Sequence, residues 1–425
     1  MEKPLTQHID LDRGPLSLKD YEKTGGYEAL REVLGKTDPE KVMEIVQESN
    51  LRGRGGAGFN TGMKWSFVPM GENAPKEKYL IANADEMEPG TFKDRLLMEG
   101  NPHQLIEGMI LAAYAIQAPT AYVFLRWAYK KSAQALRKAV AEAREAGYLG
   151  ENILDSGFHM EMRLHISAGR YMAGEETGLL NALEGRRATP RSKPPFPQAS
   201  GLFGKPTIVN NVETLVNVPH ILKNGADWFK KLSRTDDGGT KIYGASGRVN
   251  TPGAWELPMG ATLREVLEEQ AGGMHEGYEF RGALPGGAST DFLTEEHLDV
   301  PMDYDQMMEA GSRLGTGCII VLDDKTCPVA FVHNLQRFFS HESCGWCTPC
   351  REGLPRVARI LEAIERGQGK PEDLDILDFH TDFLGMGNTY CALAPGAMEP
   401  LQSALKYFRE DFEAHIEQQS CPYHG

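Results

Sequence analysis

Cysteine spacing is the strongest chemical signal in the sequence. Three of the seven cysteines form one motif, Cys344-x2-Cys347-x2-Cys350. Thiolates at this spacing can converge on one side of a turn and ligate three irons of a cubane, which leaves the fourth iron for a distant cysteine. A zinc site usually pairs two C-x2-C knuckles, and the sequence contains no second knuckle. The motif therefore predicts a [4Fe–4S] cluster, with a zinc site or unligated thiols as alternatives.

Three further cysteines are candidates for the fourth ligand of that cluster. Cys327 and Cys421 each precede a proline, as in bacterial ferredoxin runs. Cys391 lies between two helical patterns, so a helical hairpin would carry it back to the triplet. Cys421 is four residues from the end of the chain, where order is often lost. The pattern favours Cys391 and leaves the others open, whereas Cys318, in an apolar strand pattern, is typical of a buried inert thiol.

A glycine-rich segment, residues 53–62, contains G-x-G-x-x-G at Gly53, Gly55 and Gly58. The Rossmann fingerprint requires a strand before this motif and a helix after it, but here a helical pattern (residues 40–50) precedes it and Asn-Thr-Gly follows. Bare N–H groups suit phosphates, aromatic rings stack on flat ligands, and a lysine neutralises a pyrophosphate. The segment predicts a non-standard nucleotide loop, with a merely flexible loop as the alternative; its neighbours include Arg54, Phe59, Lys64, Trp65 and Phe67.

Carboxylates and amides follow the apolar run at residues 79–82, where they are Asn83, Asp85, Glu86 and Glu88. Open α/β sheets bind ligands just past the carboxyl ends of their strands, so this turn is a candidate binding edge. A solvated acidic turn is the alternative.

A second acidic pair, Glu175-Glu176, follows Gly169-x4-Gly174 at the place where a P-loop needs a lysine. Two carboxylates would repel a triphosphate, so an NTPase is excluded. They could accept hydrogen bonds from ribose hydroxyls, a carboxamide or a flavin-bound water, or simply face the amino end of a helix. Asn210-Asn211 predicts a capped helix start that could also hold a phosphate.

Composition and charge narrow the class of protein. With 45 Lys and Arg against 60 Asp and Glu, the formal net charge of −15 argues against nucleic-acid binding and against a polybasic membrane anchor. No run of about 20 apolar residues and no signal or transit peptide is apparent. We therefore expect a cytoplasmic protein with no direct membrane insertion.

Strand and helix patterns alternate from residue 79 to 166, which predicts an α/β layer with a largely parallel sheet. Residues 188–206 are rich in Pro, Gly and Ser and indicate an ordered loop over a site or a linker. Short strands around one helix (residues 263–271) predict a small α+β module between residues 241 and 322, and the pattern after residue 334 is helical. Boundaries near 238 and 330 give three domains: 1–238, 239–329 and 330–425.

One function would explain the nucleotide loop, the carboxylate-lined crevice and the cubane together: transfer of electrons from a hydride donor to a one-electron carrier. A hydride brings two electrons and a cluster accepts one, so a flavin must stand between the donor and the cluster. Five segments together resemble the NADH-binding flavoprotein subunit of respiratory complex I: residues 53–67, 83–94, 169–177, 193–214 and 342–353. The resemblance implies a Rossmann-like FMN- and NADH-binding α/β domain, a β-grasp (ubiquitin-like, SLBB-like) module and a helical bundle carrying the [4Fe–4S] cluster.

The resemblance also implies roles for individual residues. The residues expected to bind FMN are Gly53, Gly55, Lys64, Asn83, Asp85, Glu86, Tyr171, Gly174, Glu175, Asn210, Asn211 and Thr214, with Arg54, Gly56, Gly58 and Val209 as further cofactor-binding residues. Those expected to hold the adenosine side of NADH are Phe59, Phe67, Lys193 and Phe196, while Glu88 and Glu176 would position its riboses and nicotinamide. Glu88 is the candidate carboxylate that faces the 2′-hydroxyl and excludes NADPH. The implied cluster ligands are Cys344, Cys347, Cys350 and Cys391.

The implied activity is oxidation of NADH by hydride transfer to FMN, with no catalytic acid or base, followed by one-electron transfer through the cluster towards quinone. The implied partners are a [2Fe–2S] thioredoxin-like subunit and a large multi-cluster subunit, on the cytoplasmic face of the inner membrane. The alternative is the diaphorase subunit of a soluble NAD-linked hydrogenase or formate dehydrogenase, which often carries extra cluster-binding extensions that we do not expect here. A non-catalytic iron–sulfur scaffold is a more distant alternative.

Overall fold

Four parallel strands form the sheet of the first part of the chain; the computed structural model describes residues 2–423. The strands are β1 (Tyr79–Ala84), β2 (Thr120–Leu125), β3 (Glu161–Ile166) and β4 (Thr207–Asn211), in the order β3-β2-β1-β4. The direction in which strands are added reverses at β1, which lies between β2 and β4. Open α/β sheets bind ligands at such a reversal, outside the carboxyl ends of the strands. The predicted Rossmann-like parallel sheet is confirmed.

Helices cover both faces of this sheet. The longest apolar one, α6, has all of its 15 residues buried, since it packs against the sheet and against α10. Within residues 2–423, no helix combines the length and apolar character needed to cross a membrane. The helices of this part are α1 (Leu18–Lys23), α2 (Glu28–Val33), α3 (Pro39–Glu48), α4 (Thr61–Ser66), α5 (Lys93–Gly100), α6 (Pro102–Ile116), α7 (Lys130–Glu145), α8 (Glu176–Leu183), α9 (Pro197–Ser200), α10 (Val212–Asn224) and α11 (Ala226–Lys231), with short 3-10 turns at Ile153–Asp155, Tyr171–Gly174 and Leu202–Gly204.

The glycine-rich segment lies between two helices, α3 and α4. The sequence suggested that no helix follows it, which is wrong, because Asn60 is the N-cap of α4 and its side chain accepts a hydrogen bond from the N–H of Met63. An Asn-Thr-Gly run that resembles a turn is here a capped helix start.

A second sheet follows, built from β5 (Thr240–Ser246), β6 (Gly253–Pro258), β7 (Phe280–Leu284) and β8 (Cys318–Asp323). Its order is β6-β5-β8-β7, with a parallel central pair, β5 and β8, and an antiparallel strand on each side. This is the expected β-grasp arrangement. The predicted helix is a π-helix at Glu265–Gln270, and a second helix, α12 (Tyr304–Glu309), was missed by the sequence analysis.

The remaining part is a bundle of five helices: α13 (Pro328–Glu342), α14 (Thr348–Glu365), α15 (Pro371–Phe383), α16 (Leu393–Tyr407) and α17 (Arg409–Gln418). The bundle begins earlier than residue 334 because Cys327 caps α13 through its sulfur and Pro328 occupies the first helical position. Buried Phe339, Leu361, Leu401 and Phe412 belong to its core. The division at residues 238 and 330 stays a prediction.

Candidate functional site

One cavity of about 660 Å³ lies past the carboxyl ends of β1 and β4, at the reversal of the strand order. Loops of the β-grasp module (residues 286–289 and 313–316) and of the bundle (residues 386–395) complete its wall. The lining residues that the sequence analysis had named are Gly53, Gly55, Gly56, Gly58, Phe59, Lys64, Asn83, Asp85, Glu86, Glu88, Tyr171, Gly174, Glu175, Glu176, Lys193, Val209, Asn210, Asn211, Thr214 and Cys391.

Three of the predicted cofactor-binding residues do not line the cavity. The Arg54 side chain is fully buried and donates through Nη2 to the carbonyls of Gly238 and Thr240, 2.7 and 3.1 Å away. It therefore joins the glycine loop to the start of the β-grasp sheet and does not face the cavity. Phe67 and Phe196 are exposed, and the Phe67 ring lies 6.3 Å from the ring of Phe59, which does line the cavity.

The glycine loop is shaped by its contact with α12. Tyr304 donates its hydroxyl to the carbonyl of Gly53 over 2.6 Å. At Gly58 the backbone is left-handed (φ +65°), and a Cβ would lie 2.3 Å from the Tyr304 ring. Only glycine fits there, so the loop presents bare backbone to the cavity. Such a cradle suits the phosphate or flat ring of a nucleotide.

Asp85 presents a buried acceptor to the cavity. Its Oδ1 accepts a hydrogen bond from Ser167 at 2.7 Å, while Oδ2 is buried and has no hydrogen-bond partner among residues 2–423. Burial raises the pKa of Asp85 to about 6. Buried acceptors are normally satisfied, so this oxygen fits a ligand that brings an N–H or O–H group, as FMN does.

The carboxylate of Glu86 is hydrogen-bonded to groups within the protein. Its carboxylate accepts from the N–H of Asp94 (2.9 Å) and from the hydroxyl of Tyr129 (2.7 Å), which holds the start of α5. Burial, followed by the charge of Asp94, raises the pKa of Glu86 to about 7.

Lys93 and Asp94 line the cavity but were not predicted to do so. The buried ammonium of Lys93 lies 2.7 Å from Asp94, 2.8 Å from Glu213 and 3.1 Å from Asn211, and Asn211 donates to Asp94 over 2.6 Å. Asn211 also accepts from the N–H of Glu213, so the predicted cap of α10 is confirmed. The network fixes the carboxyl end of β4, and no motif in the sequence marks it.

Glu88 lies where the α/β domain meets the β-grasp module. Its Oε2 accepts from the Tyr171 hydroxyl at 2.6 Å and its Oε1 from the N–H of Ser289 at 2.7 Å. Burial raises the pKa of Glu88. Both carboxylate oxygens are therefore already engaged.

Glu175 and Glu176 have different surroundings. Oε2 of Glu175 accepts from the N–H groups of Thr177 and Gly178, so it caps α8, which was the structural alternative for this pair. Glu176 lies 2.6 Å from the Lys64 ammonium and 3.2 Å from that of Lys193. Although burial acts to raise it, these two charges lower the pKa of Glu176.

The four predicted cluster ligands come together beside the cavity. Cys391 lies in the loop before α16 and lines the cavity, and the N–H of its neighbour Tyr390 lies 3.4 Å from Sγ of Cys347. Burial, with the neighbouring Glu175, Cys344 and Cys350, raises the pKa of Cys391 to about 12. Cys327 lies instead at the start of α13, the end of that helix remote from the triplet. Four thiols at one place fit a [4Fe–4S] cluster.

Residues from the other two domains were the main omission of the sequence analysis. Ser289, Arg313 and Thr316 line the cavity, and Arg313 pairs with Glu399 of the bundle at 2.8 Å. The one available signal is the glycine on each side of this arginine, Gly311 and Gly315.

Family models match most of the chain. The Nuo51 FMN-binding domain matches residues 46–220, the SLBB domain residues 244–292, and the NADH-ubiquinone oxidoreductase-F iron-sulfur binding region residues 330–415. These matches agree with the three structural parts, and they support FMN and a [4Fe–4S] cluster as the cofactors.

Whole-chain comparisons agree with these models. The chain is 56% identical to the NADH-quinone oxidoreductase F subunit of Salmonella typhimurium and to that of Escherichia coli, in each case over 98% of this chain and 93% of the relative. It is 51% identical to the NADH-quinone oxidoreductase F 2 subunit of Rhizobium meliloti over the full length of both chains. A solved NAD+-reducing [NiFe]-hydrogenase superposes with a TM-score of 0.83 at 36% identity, over 96% of this chain and 67% of the hydrogenase chain. The chain therefore belongs to the family of the NADH-quinone oxidoreductase F subunits.

Proposed function

We propose that this chain oxidises NADH within respiratory complex I and passes single electrons to a [4Fe–4S] cluster in its own helical bundle. The observation that carries the proposal is a shared wall: the cavity at the β1–β4 edge is lined both by the glycine loop and by Cys391. When bound, FMN accepts a hydride from NADH and releases the electrons one at a time, and a cluster takes them up singly.

The residues that would hold FMN are the glycine loop and the polar groups at the ends of β1 and β4. Asn83 and Asn211 are register partners on these two strands. With Asp85 just beyond β1, they place amide and carboxylate groups at one edge of the sheet. The Lys93 network holds Asn211 in position, which keeps this edge rigid.

The residues that would align NADH lie at the mouth of the cavity. Lys64 donates to the Val209 carbonyl at 2.8 Å and pairs with Glu176, and the exposed ring of Phe59 lies on the same wall. Direct hydride transfer needs alignment of the two rings and no proton donor, so we assign no acid–base role to Glu88 or Glu176. Glu176 would bind and orient NADH, and Glu88 would position the wall through Tyr171 and Ser289.

Contacts between the α/β domain and the bundle would keep the cluster at a fixed distance from the cavity. The Tyr171 N–H donates to Glu342 (2.9 Å), and Arg187 donates to the Cys344 carbonyl (2.9 Å). Both contacts reach the segment that carries the cysteine triplet. A fixed separation favours rapid one-electron transfer.

Complex I is favoured over a hydrogenase or formate dehydrogenase diaphorase. The relatives named as NADH-quinone oxidoreductase are 56% identical and are covered to 93% of their length, against 36% identity and 67% coverage for the hydrogenase chain. On this basis we infer partners within a multisubunit complex, namely a [2Fe–2S] thioredoxin-like subunit and a large multi-cluster subunit, on the cytoplasmic face of the membrane.

The test is to purify the tagged chain from its own cells, identify the subunits that accompany it, and measure flavin absorbance and NADH–ferricyanide activity. Complex I subunits, one FMN per chain and NADH oxidation are expected. Hydrogenase or formate dehydrogenase subunits would select the diaphorase alternative. If the purified chain has neither flavin nor activity, the proposal is wrong and the chain is a non-catalytic iron–sulfur scaffold.

A further inference from the structure

A second group of metal-ligating side chains lies in the bundle, apart from the cysteines beside the cavity. It comprises Cys327, Glu365, His415 and Cys421, whose ligand atoms all lie within 4.8 Å of one another. Sγ of Cys327 is 3.3 Å from Oε2 of Glu365 and 3.3 Å from Nε2 of His415. The carboxylate oxygen and Nε2 are 3.2 Å apart.

The three separations among Cys327, Glu365 and His415 match one triangular face of a metal-centred tetrahedron. A regular tetrahedron with edges of about 3.3 Å has its corners about 2.0 Å from the centre, the distance at which Zn²⁺ binds imidazole and carboxylate ligands. Zn–S bonds are about 2.3 Å long, so the sulfur of Cys327 needs to move outward only slightly. The sulfur of Cys421, within 4.8 Å of the other three ligand atoms, would supply the fourth corner.

The histidine is oriented as a metal ligand. Nδ1 of His415 lies 2.6 Å from the carbonyl oxygen of Asp411, to which it can donate a hydrogen bond. In that tautomer Nε2 carries a lone pair, which points at the carboxylate of Glu365 and the sulfur of Cys327. Metal-bound histidines almost always donate their other N–H in this way. A divalent cation at the centre would take the place of the protons that these atoms otherwise share in the Cys327–Glu365 hydrogen bond and the His415–Glu365 pair.

The group is remote from the predicted cluster. Cys327 precedes α13 and Glu365 ends α14, whereas the Cys344–Cys350 motif joins the other ends of these two helices. The 15 residues of α13 at 1.5 Å per residue separate the two places by about 22 Å. Cys327 and Cys421 therefore belong to a different centre from Cys350.

The group also holds the last described segment of the chain. Cys421 follows α17, and two residues later Tyr423 contacts Arg281 of the β-grasp module and Asp411. An ion bound here would connect this tail and α17 to the α13–α14 hairpin.

We propose that Cys327, Glu365, His415 and Cys421 form a structural Zn²⁺ site. Two thiolates and an imidazole favour zinc over magnesium or calcium, which prefer oxygen ligands. Four protein ligands leave no open position for a substrate, so the ion stabilises the fold and takes no part in NADH oxidation.

The first test counts metals in the purified holoprotein, with zinc, iron and FMN measured per chain. The variants are Cys421→Ala, Cys327→Ala and His415→Gln, and the control is Cys318→Ala, a buried cysteine in β8. We expect about one zinc per chain in the wild type and the control, and its loss in the three variants with iron and FMN retained. If Cys327→Ala fails to fold, Cys421→Ala decides, because its side chain lies in the tail after the last helix.

The second test replaces the ion with Co²⁺ and records its visible spectrum, since tetrahedral cobalt–thiolate centres absorb characteristically. The bands should appear in the wild type and in Cys318→Ala and should be lost in Cys421→Ala. A wild type that contains no zinc and takes up neither Zn²⁺ nor Co²⁺ would overturn the proposal and leave a hydrogen-bonded His415–Glu365 pair. Zinc retained in a Cys327→Ala/Cys421→Ala double variant would overturn it equally.

Discussion

The ammonium of Lys64 lies 2.6 Å from Oε1 of Glu176, and Lys193 lies 3.2 Å from Oε2 of the same carboxylate. Glu176 thus pairs with two cations at the mouth of the cavity, and together with Glu175 it balances their charge. Its companion Glu175 uses one oxygen to cap α8 and lies 3.8 Å from Lys193. Without the charge of Glu176, the mouth of the cavity would carry a net positive charge.

Replacing Glu176 with glutamine should therefore relax the preference for NADH over NADPH. Without the carboxylate, Lys64 and Lys193 are left to attract a 2′-phosphate. We expect the KM for NADPH to fall by roughly tenfold, about 1.4 kcal/mol, and the KM for NADH to rise, with smaller changes in kcat. Steady-state kinetics with both donors measure this directly.

Glu88→Gln is the matched comparison, because the sequence pointed to Glu88 as the residue that faces the 2′ position. Its two oxygens already accept from Tyr171 and Ser289, so we expect this variant to reduce turnover of NADH and to keep the discrimination against NADPH. If Glu88→Gln relaxes the discrimination and Glu176→Gln does not, the original assignment of Glu88 is right.

Asp85→Asn should stabilise the FMN-free chain while weakening its hold on FMN. The folded pKa of Asp85, about 6, exceeds the ordinary 3.8, so the folded state binds this proton more tightly than the unfolded state. Below pH 3.8 Asp85 is protonated in both states and does not reduce the free energy of unfolding. As the pH rises through 6 the buried carboxylate ionises, and the free energy of unfolding falls by at most about 3 kcal/mol at pH 8. The amide removes that cost but replaces the Oδ2 acceptor with a donor.

The stability change is tested by the melting temperatures of FMN-free wild type and Asp85→Asn at about pH 5 and pH 8. The weaker hold on FMN is tested by following FMN release by fluorescence. The gain in melting temperature should be larger at the higher pH, and FMN affinity should fall by roughly tenfold. The exposed Asp12→Asn is the control. Equal gains at the two pH values would show that Asp85 does not titrate as described.

Cys391→Ala should abolish the EPR signal of the reduced [4Fe–4S] cluster, whereas Cys421→Ala should leave it intact. The bundle loop that carries Cys391 also lines the cavity, so the flavin and cluster sites are less separate than the sequence suggested. FMN should nevertheless remain bound, because most of the wall belongs to the α/β domain. The opposite behaviour of the two variants would make Cys421 the cluster ligand.

Features that depend on neighbouring residues were predictable from the sequence. The run before Asn83 and the acids after it define a strand and its binding edge, and the spacing of Cys344 to Cys350 defines a cluster motif. Arg54 shows the limit, because the sequence specifies its charge but not the direction of its side chain, which points away from the cavity. The direction depends on the packing of the loop against the β-grasp sheet.

Features assembled from distant parts of the chain could not be predicted in the same way. Lys93 acquires its role from Glu213, 120 positions further on. Arg313 is held beside the cavity by the Ser289 carbonyl and by Glu399 in α16. His415 and Cys327 are 88 positions apart, and neither lies in a motif with the other. Only the fold brings such residues together.

The last prediction concerns the potential of the cluster. The hydroxyl of Ser343 lies 3.1 Å from Sγ of Cys350, and since a ligating thiolate carries no proton, the serine must be the donor. A hydrogen bond to a cluster sulfur is stronger when the cluster is reduced, because the reduced cluster is more negative. Ser343→Ala should therefore lower the midpoint potential, by about 40 mV if the bond contributes about 1 kcal/mol, since about 59 mV corresponds to a tenfold change for one electron.

An EPR-monitored redox titration of the Ser343→Ala holoprotein measures this shift. Thr348→Ala is the control, because the Thr348 hydroxyl accepts from Arg351 and is not in hydrogen-bond contact with a sulfur among residues 2–423. The control should keep the wild-type potential, and both variants should keep their FMN, because neither side chain lines the cavity. An unchanged or higher potential in Ser343→Ala would mean that this hydroxyl does not donate to the cluster sulfur, and that the Tyr390 N–H at Cys347 is the donor to test next.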